Sequence, residues 1–443
     1  MRMRVALGIV VGIMLMQVGT RAQSAGQGAP STSASLYVDP STGLTLGAAV
    51  KQALEREPSL RAARSKIDAA NGMKRQAELR PNPSIVFSQQ EEPAGTDNQT
   101  RIEVQWPLDL FRKAGRVAVA EREIDAVRYA TADRERSLAA ETRIAYGEVA
   151  TAIRTLEVTE ELLAATDRQR TLISGRVDQG AAPSLERDML QVEVLRLESD
   201  RLLQTGEVER RFIELKRLLG MPPESPLKLA GSLEQLERAE RPPNQPTSDQ
   251  MAVAQRPDVR EAESRVAVTD AQIERAKRDG RTDVSLFGMY MRSDAGFPQQ
   301  GFTDTGDLAR VHGIFHYVAA GAMVTLPILG RNQGTIAAAQ ADRAGAASEL
   351  EAARLRAQAE LAAARARDGH ARRALEAYGT DAVPLATRNL QTVRQTYELG
   401  RATLLDVVAE QRRYLELQRA YTQVLREAYQ ARQALRQALG ETR

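Results

Sequence analysis

The side chains most often used for catalysis or metal binding are scarce in this chain of 443 residues. It has three histidines and no cysteine. His312 and His316 are four residues apart and could ligate a metal ion if helical, but such sites usually need three or four ligands. Met289 and Met291 point the same way on a predicted strand, where packing explains them better than a copper relay does. No Ser–His–Asp, Cys–His, paired-carboxylate or phosphate-loop pattern occurs in a suitable context, so we predict no enzyme activity, no cofactor and no metal site.

Two glycines lie at equivalent places in two helix-forming stretches. Gly180, in "VDQGAAPSLERD", and Gly400, in "YELGRATLLDVV", are 220 residues apart. Glycine readily adopts the left-handed conformation in which helices often end. Each glycine is therefore predicted to end a long helix at the tip of a helical hairpin, near 176–183 in the first half and 397–403 in the second.

An acidic residue follows each glycine by six positions, Glu186 in the first half and Asp406 in the second. The sequence from Thr403 to Asp406 is typical of a capping box. A carboxylate in the first turn of a helix is also favoured by the helix dipole. Capping alone and an additional functional role both remain open for these two acids, because one residue can do both.

The two hairpins belong to an internal repeat. "REPSLRAARS" (56–65) resembles "QRPDVREAES" (255–264), and fixed offsets of this kind indicate duplication. Each half has the order helix, two short strands and long helical hairpin. We predict a first repeat at 44–220, a proline-rich connector at 221–250 and a second repeat at 251–443.

Alternating polar and apolar residues predict two strands in each half, at about 84–90 and 101–107, and at about 283–292 and 317–327. The intervening stretch 293–313 is rich in turn formers and is predicted to be an external loop. The longer strands could cross a membrane at a tilt, with one apolar and one polar face. An ordinary soluble sheet can have the same pattern.

Very long helices are the strongest structural signal. No proline occurs from Leu108 to Ala182, and the 65–70 helical residues predicted there would reach about 100 Å. The helices that open the halves are predicted near 45–79 and 248–278. Apolar residues at near-heptad spacing predict two packing rows in the return helices: Val208, Phe212, Leu215 and Leu219 in one, and Val407, Tyr414, Leu417, Tyr421, Val424 and Leu435 in the other.

The predicted fold class is mainly α with a small β part. Four strands cannot close a barrel, and exposed strand edges are not tolerated in lipid. Membrane strands would therefore require several copies to share one barrel. Three copies would give twelve strands and a twelve-helix tube, although this argument does not itself fix the number at three.

The N-terminal residues 1–22 have the basic start, apolar middle and small residues before a cleavage site that are typical of a secretory signal peptide. An uncleaved anchor is the alternative, but the apolar run is shorter than a membrane span. Residues 23–43 are polar and are predicted to be a flexible leader. Without residues 1–22 the chain has 58 basic and 58 acidic residues, and no basic cluster with interleaved aromatics indicates a nucleic-acid partner.

The duplicated order, "LPILGRNQGTIAAAQA" and "YELGRATLLDVVAEQRRYLELQ" together resemble the TolC-like outer-membrane efflux proteins (outer membrane factors) over residues 44–440. "LPILGRNQG" leans toward their heavy-metal-efflux, CzcC-like branch. The resemblance implies a homotrimer with a 12-stranded β-barrel in outer-membrane lipid, continued by a long α-helical barrel through the periplasm. It also implies an exit duct for metal cations or drugs, served by a periplasmic adaptor (membrane fusion) protein and an inner-membrane RND-type pump.

The same resemblance implies roles for the residues at the tips. Gly180 and Gly400 match the glycines of the two tip hairpins. Asp406 matches an aspartate that narrows the closed entrance, and Tyr397 and Glu186 match a tyrosine and an acid that latch neighbouring helical pairs.

Two positions depart from the family pattern. Ala409 stands where drug-type members can carry a second aspartate, and Ala402 replaces an arginine of the latch, although Arg401 is adjacent. The gate is therefore expected to differ in detail. The main alternative function is an exported periplasmic coiled-coil scaffold or interaction protein without a channel, which would explain the long helices but not the duplicated strand pairs.

Overall fold

The computed structural model describes residues 36–93, 97–239 and 249–442. The predicted signal peptide lies outside the described residues, as does most of the predicted leader. Residues 36–43 of that leader are docked rather than flexible. The Asp39 N–H donates to the Leu229 carbonyl at 2.8 Å, and the Tyr37 ring stacks on Phe212 with 5.7 Å between the centroids.

The elements follow the duplicated order. The first repeat contains α1 (Leu46–Arg56), α2 (Pro58–Glu78), β1 (Ser84–Gln90), β2 (Asn98–Pro107), α3 (Lys113–Asp178) and α4 (Ser184–Leu218). A short helix in the connector, which sequence reasoning missed, is α5 (Leu233–Ala239). The second repeat contains α6 (Asp249–Gln255), α7 (Pro257–Asp279), β3 (Asp283–Phe302), β4 (Leu308–Thr325), α8 (Gln333–Ala377), a π-helical turn (Tyr378–Ala382), α9 (Val383–Glu398) and α10 (Leu404–Ala438).

The opening helix of each repeat is divided in two, where sequence reasoning predicted one helix. The second piece begins at Pro58 in the first repeat and at Pro257 in the other. Proline lacks a backbone N–H and is well placed at the first position of a helix. Glu57 caps α2, because its carboxylate accepts a hydrogen bond from the Leu60 N–H at 2.8 Å.

The long helices of the two repeats have matched lengths. α3 contains 66 residues, or about 100 Å, so the predicted long helix is confirmed. In the second repeat, α8, the π-helical turn and α9 continue without a break from Gln333 to Glu398, which is the same number of residues. The π-helical turn comes just before Pro384, which cannot donate a helical hydrogen bond. None of the described helices is both long and apolar enough to span a bilayer.

The four strands form one antiparallel sheet in the order β1-β2-β3-β4. β2 pairs with β3, with Ile102 opposite Tyr290, so the sheet joins the two repeats. In the described part of the chain, the outer edges of β1 and β4 have no strand partner. A single copy therefore presents two open edges.

The stretch 293–313 is not the predicted loop. The hairpin strands continue through it, so that only residues 303–307 form the turn. A shift in register around Pro298 accommodates the turn formers. The predicted strand ends near 292 and 317 were wrong because pairing with a neighbouring strand overrides local turn preference.

The two faces of the sheet differ in polarity. Residues directly opposite each other in the register lie on the same face. One face is mixed, because Arg101, Glu103 and Gln105 of β2 lie opposite Met291, Met289 and Phe287 of β3. The apolar face carries large side chains that are 41–82% exposed in one copy, and the register places these together: Ile85, Phe87, Ile102, Val104, Trp106, Leu286, Tyr290 and Val318.

The main hydrophobic core lies where α1, α3, α4, α5 and α10 meet. Tyr429 is fully buried there, and its ring packs so closely on Gly147 that an added Cβ would lie 2.2 Å from it. The predicted packing row on α4 is confirmed, since all its members are buried: Val208, Phe212, Leu215 and Leu219.

The buried row of α10 differs from the predicted one. Of the predicted residues only Val407 is fully buried, and the others are partly buried: Tyr414, Leu417, Tyr421, Val424 and Leu435. The buried row at heptad spacing consists of other residues: Leu404, Val408, Gln411, Leu415, Gln418, Thr422 and Leu425. An apolar search missed this row because it contains glutamines, of which Gln411 donates to Gln169 at 3.1 Å.

Candidate functional site

The two predicted tip glycines adopt the same conformation. Gly180 has φ +71° and Gly400 has φ +72°, so the predicted left-handed turns are confirmed. Each glycine N–H donates to the carbonyl three residues earlier at 2.9 Å, and the next N–H donates to the carbonyl five residues earlier at 2.8 or 2.9 Å. These two bonds form the Schellman motif, which ends a helix. At both tips an added Cβ would meet nothing within 4 Å, so the requirement for glycine comes from the backbone alone.

The helices after the two tips begin differently. Thr403 and Asp406 form the predicted capping box, with the Asp406 N–H donating to Thr403 Oγ1 at 3.2 Å and the Thr403 N–H donating to Asp406 Oδ2 at 2.9 Å. Hydrogen bonds from the Thr403 hydroxyl and N–H lower the pKa of Asp406, which keeps this carboxylate charged at neutral pH. α4 instead follows Pro183 without a side-chain cap, so the Glu186 carboxylate is available for another contact.

Glu186 uses its carboxylate to hold the second hairpin. The Tyr397 hydroxyl donates to Glu186 Oε2 at 2.7 Å, which joins α9 to α4; we call this contact the latch. Burial, followed by the hydrogen bond to Glu186 and its charge, raises the pKa of Tyr397 to about 12, so the phenol remains a donor at physiological pH. Tyr397 also packs against a buried apolar cluster from both hairpins: Ile173, Leu190, Leu404 and Val408.

Farther from the tip, two ion pairs join α4 to α10; we call them the ion-pair ladder. Arg412 lies 3.0 Å from Glu193, and Arg419 lies 2.9 Å from Asp200. The partners in both pairs are 219 positions apart, and the second pair follows the first by seven residues. Sequence reasoning missed this ladder. The signal was the seven-residue spacing of acidic residues on α4 and of arginines on α10.

Asp406 takes no part in the latch. Its side chain is exposed, and its carboxylate hydrogen-bonds to Thr403. The structure thus brings Glu186 and Tyr397 into direct contact, leaves Asp406 at the start of α10, and places one glycine at each tip.

The two histidines considered as metal ligands have separate partners. His312 Nε2 lies 3.0 Å from Asp294 Oδ1, and His316 Nδ1 lies 2.8 Å from the Tyr290 hydroxyl. Both lie on β4, where four residues span about 13 Å, so they do not share a ligand position. Across 36–93, 97–239 and 249–442, no group of three or more His, Cys, Asp or Glu is arranged to hold a metal ion.

Residues 49–221 and 250–441 match the sequence model of the outer membrane efflux protein family. The chain therefore belongs to this family, whose members are efflux channels rather than enzymes. The two matched segments correspond to the two repeats. A comparison with curated proteins found no match.

Solved structures show the same fold. CusC aligns with a TM-score of 0.73 at 19% identity, over 91% of this chain and 93% of that chain. A membrane protein from Pseudomonas aeruginosa aligns with a TM-score of 0.72 at 23% identity, over 92% of this chain and 91% of that chain. The open state of the Neisseria gonorrhoeae MtrE outer membrane channel aligns with a TM-score of 0.71 at 19% identity, over 91% of this chain and 90% of that chain.

Proposed function

We propose that three copies of this chain form the outer-membrane exit duct of a tripartite efflux system. The main observation that supports this proposal is the open four-stranded sheet. Its free edges would be unstable in lipid unless other copies paired with them, and its exposed apolar face needs a covering that lipid would supply. Three copies would close twelve strands into one barrel, with Arg101, Glu103 and Gln105 facing the lumen. The descriptions of CusC as forming a transmembrane channel and of MtrE as an outer membrane channel support this assignment.

In this proposal the long helices form a tube through the periplasm, and the tips at Gly180 and Gly400 meet a periplasmic adaptor and an inner-membrane RND-type pump. The latch between Tyr397 and Glu186 holds the two hairpins together in the closed entrance. Three copies of Asp406 form a ring of like charge around the axis. The chain is exported through a signal peptide at residues 1–22.

For the substrate we propose metal cations or drugs, with the CzcC-like branch favoured by "LPILGRNQG". In the structure this stretch leads from β4 into α8. Asn332 has φ +63°, and its Nδ2 donates to the Ala276 carbonyl at 2.8 Å. The motif therefore fixes a strand-to-helix junction, and substrate choice is assigned to the pump.

The test is the location and mass of the full-length protein. We expect it in the outer-membrane fraction, extractable only with detergent, and trimeric by light scattering after subtraction of the detergent. A soluble periplasmic monomer would reject the channel and favour the scaffold alternative.

A further inference from the structure

Two arginines of α3 lack the polar partners that the other arginines of this helix have. Seven others lie within 4.0 Å of a carboxylate: Arg116, Arg122, Arg128, Arg134, Arg136, Arg154 and Arg170. Arg143 donates to the Thr442 carbonyl at 3.0 Å. Within the described residues, the side chains of Arg168 and Arg176 have no hydrogen bond and no ion pair. Both line a groove of about 460 Å³ between α3 and α9, near the tips.

A third arginine lies in the same groove on the other hairpin. Arg394 is half-buried, and burial, followed by the positive charge of Arg168, lowers its pKa. Glu398 also lines the groove, but no carboxylate of the described residues lies within ion-pairing distance of Arg394. The groove is therefore lined by three arginines and the single carboxylate of Glu398. Arg168 and Arg176 are exposed, whereas the half-buried Arg394 has lost part of its hydration, which an added acidic group would offset.

The surface between the arginines is apolar. Arg168, Leu172 and Arg176 follow each other at four-residue spacing, which places them on one face of α3. The Leu172 side chain is 71% exposed. A small oxyanion would use the arginines but not the leucine. A helix that carries an apolar residue between two carboxylates, at the same spacing, would complement all three side chains.

We propose that this surface, the arginine groove (Arg168, Leu172, Arg176 and Arg394), docks an acidic amphipathic helix of the periplasmic partner. The inference rests on the proposed function, because it specifies the chemistry of the partner segment that meets the tip. A carboxylate placed between Arg168 and Arg394 would be shared by the two hairpins. The docked helix would therefore contact both hairpins beside the latch.

The test uses two alanine-rich helical peptides as probes. One carries Glu, Leu and Glu at four-residue spacing, and its matched control carries Lys in place of both glutamates. Binding to the full-length protein in detergent is followed by fluorescence anisotropy. We expect the acidic peptide to bind, with an affinity that falls as salt rises, and the basic peptide not to bind.

Variants of the protein then show which side chains of the groove contact the peptide. Arg168→Gln with Arg176→Gln should weaken binding of the acidic peptide by roughly two- to tenfold, as expected for the loss of two exposed ion pairs, and Leu172→Gln should weaken it separately. The control is Arg128→Gln on the same helix, which removes the pair with Asp125 at 3.7 Å and should leave binding unchanged. Equal binding of both peptides, or equal effects of the groove and control variants, would overturn the proposal.

Two further measurements complete the test. If pyrophosphate binds through the arginines while the acidic peptide does not, the groove is a small-anion site and the helical partner is wrong. The double variant should remain a trimer that conducts in planar bilayers. If the unmodified protein is not a conducting trimer, it is the proposed function that fails rather than the docking chemistry.

Discussion

Tyr397 and Glu186 are 211 positions apart in the chain, and the phenol of one donates a 2.7 Å hydrogen bond to the carboxylate of the other. The contact joins the last turn of α9 to the first turn of α4. Any movement that separates the two hairpin tips has to break it. We therefore expect the shape of the proposed entrance to depend on this single hydrogen bond.

Tyr397→Phe removes the hydroxyl and keeps the ring in its apolar cluster. A hydrogen bond to a charged group at a partly exposed site is worth about 1 kcal/mol, so we expect about a fivefold shift toward the open entrance. The measurement is open probability in planar bilayers. Tyr129→Phe is the control, since that hydroxyl accepts from Arg260 at 3.4 Å and lies far from the tip. Unchanged gating in Tyr397→Phe would show that the latch does not hold the entrance closed.

The latch should be insensitive to pH over the physiological range. Its phenol has a pKa raised from 10.0 to about 12, so the protonated phenol is favoured in the folded protein. The contribution of this hydrogen bond to the stability of the closed tip is therefore complete below pH 10, and it is lost as the pH rises toward 12. A change in open probability between pH 7 and pH 9 that Tyr397→Phe abolishes would contradict this expectation.

Local backbone rules sufficed to predict the tips, because Gly400 and the capping box depend on a few neighbouring residues. The pairing of Tyr397 with Glu186 came from family resemblance, since no local pattern joins positions so far apart. The buried row of α10 was missed because Gln411 and Gln418 are polar, although their spacing is that of a packed helix. The hairpin through 293–313 was missed because strand pairing, a long-range interaction, decides the conformation of a segment rich in turn formers.

The ion-pair ladder allows two adjacent arginines to be compared. Arg412→Gln removes a contact between two helices, to Glu193, which is 3% exposed and also pairs with Arg196. Arg413→Gln removes a pair within α10, to Glu410, which is 13% exposed. We expect a loss of about 1 kcal/mol in the free energy of unfolding for Arg412→Gln and close to zero for Arg413→Gln. Urea unfolding followed by circular dichroism measures both, and equal losses would show that the ladder does not stabilise the hairpin contact.

Gly400→Val should disturb the tip and leave the strands of the proposed barrel in place. A side chain there is free of clashes, so the cost comes from the left-handed backbone and is about 1–2 kcal/mol. Asn tolerates this conformation far better than a β-branched residue does, which makes Gly400→Asn the matched control. We expect Gly400→Val to reduce efflux in cells while the trimer still assembles. Normal export by Gly400→Val would remove the support for the tip assignment.

The hairpin turn at residues 303–307 should face the outside of the cell. It lies at the end of β3 and β4 opposite the helices, and an epitope tag after Gly306 should be accessible on intact cells. A tag at Gly301 is the control, because that residue pairs with Ala309 inside the sheet and an insertion should lower the yield of assembled protein. If the tag after Gly306 becomes accessible only when the outer membrane is opened, the proposed orientation is inverted.

Asp406 has two roles that its two simplest variants separate. Asp406→Asn removes the charge and keeps an oxygen that accepts from the Thr403 N–H, whereas Asp406→Ala removes both. If three copies form a charged ring at the entrance, both variants should weaken block by divalent cations, by about fivefold for the loss of nearby charges.

Only Asp406→Ala should also loosen the start of α10, because only that variant loses the capping contact. The carboxyl pKa is lowered from 3.8, so the charge should persist on acidification and the block should weaken only as the pH falls below that value. Single-channel recordings with added Mg²⁺ at pH 7 and pH 5 measure the block, and hydrogen exchange measures the mobility of α10. Wild-type block in Asp406→Asn would place the charge away from the conduction path, and equal mobility of α10 in the two variants by hydrogen exchange would reject the capping role.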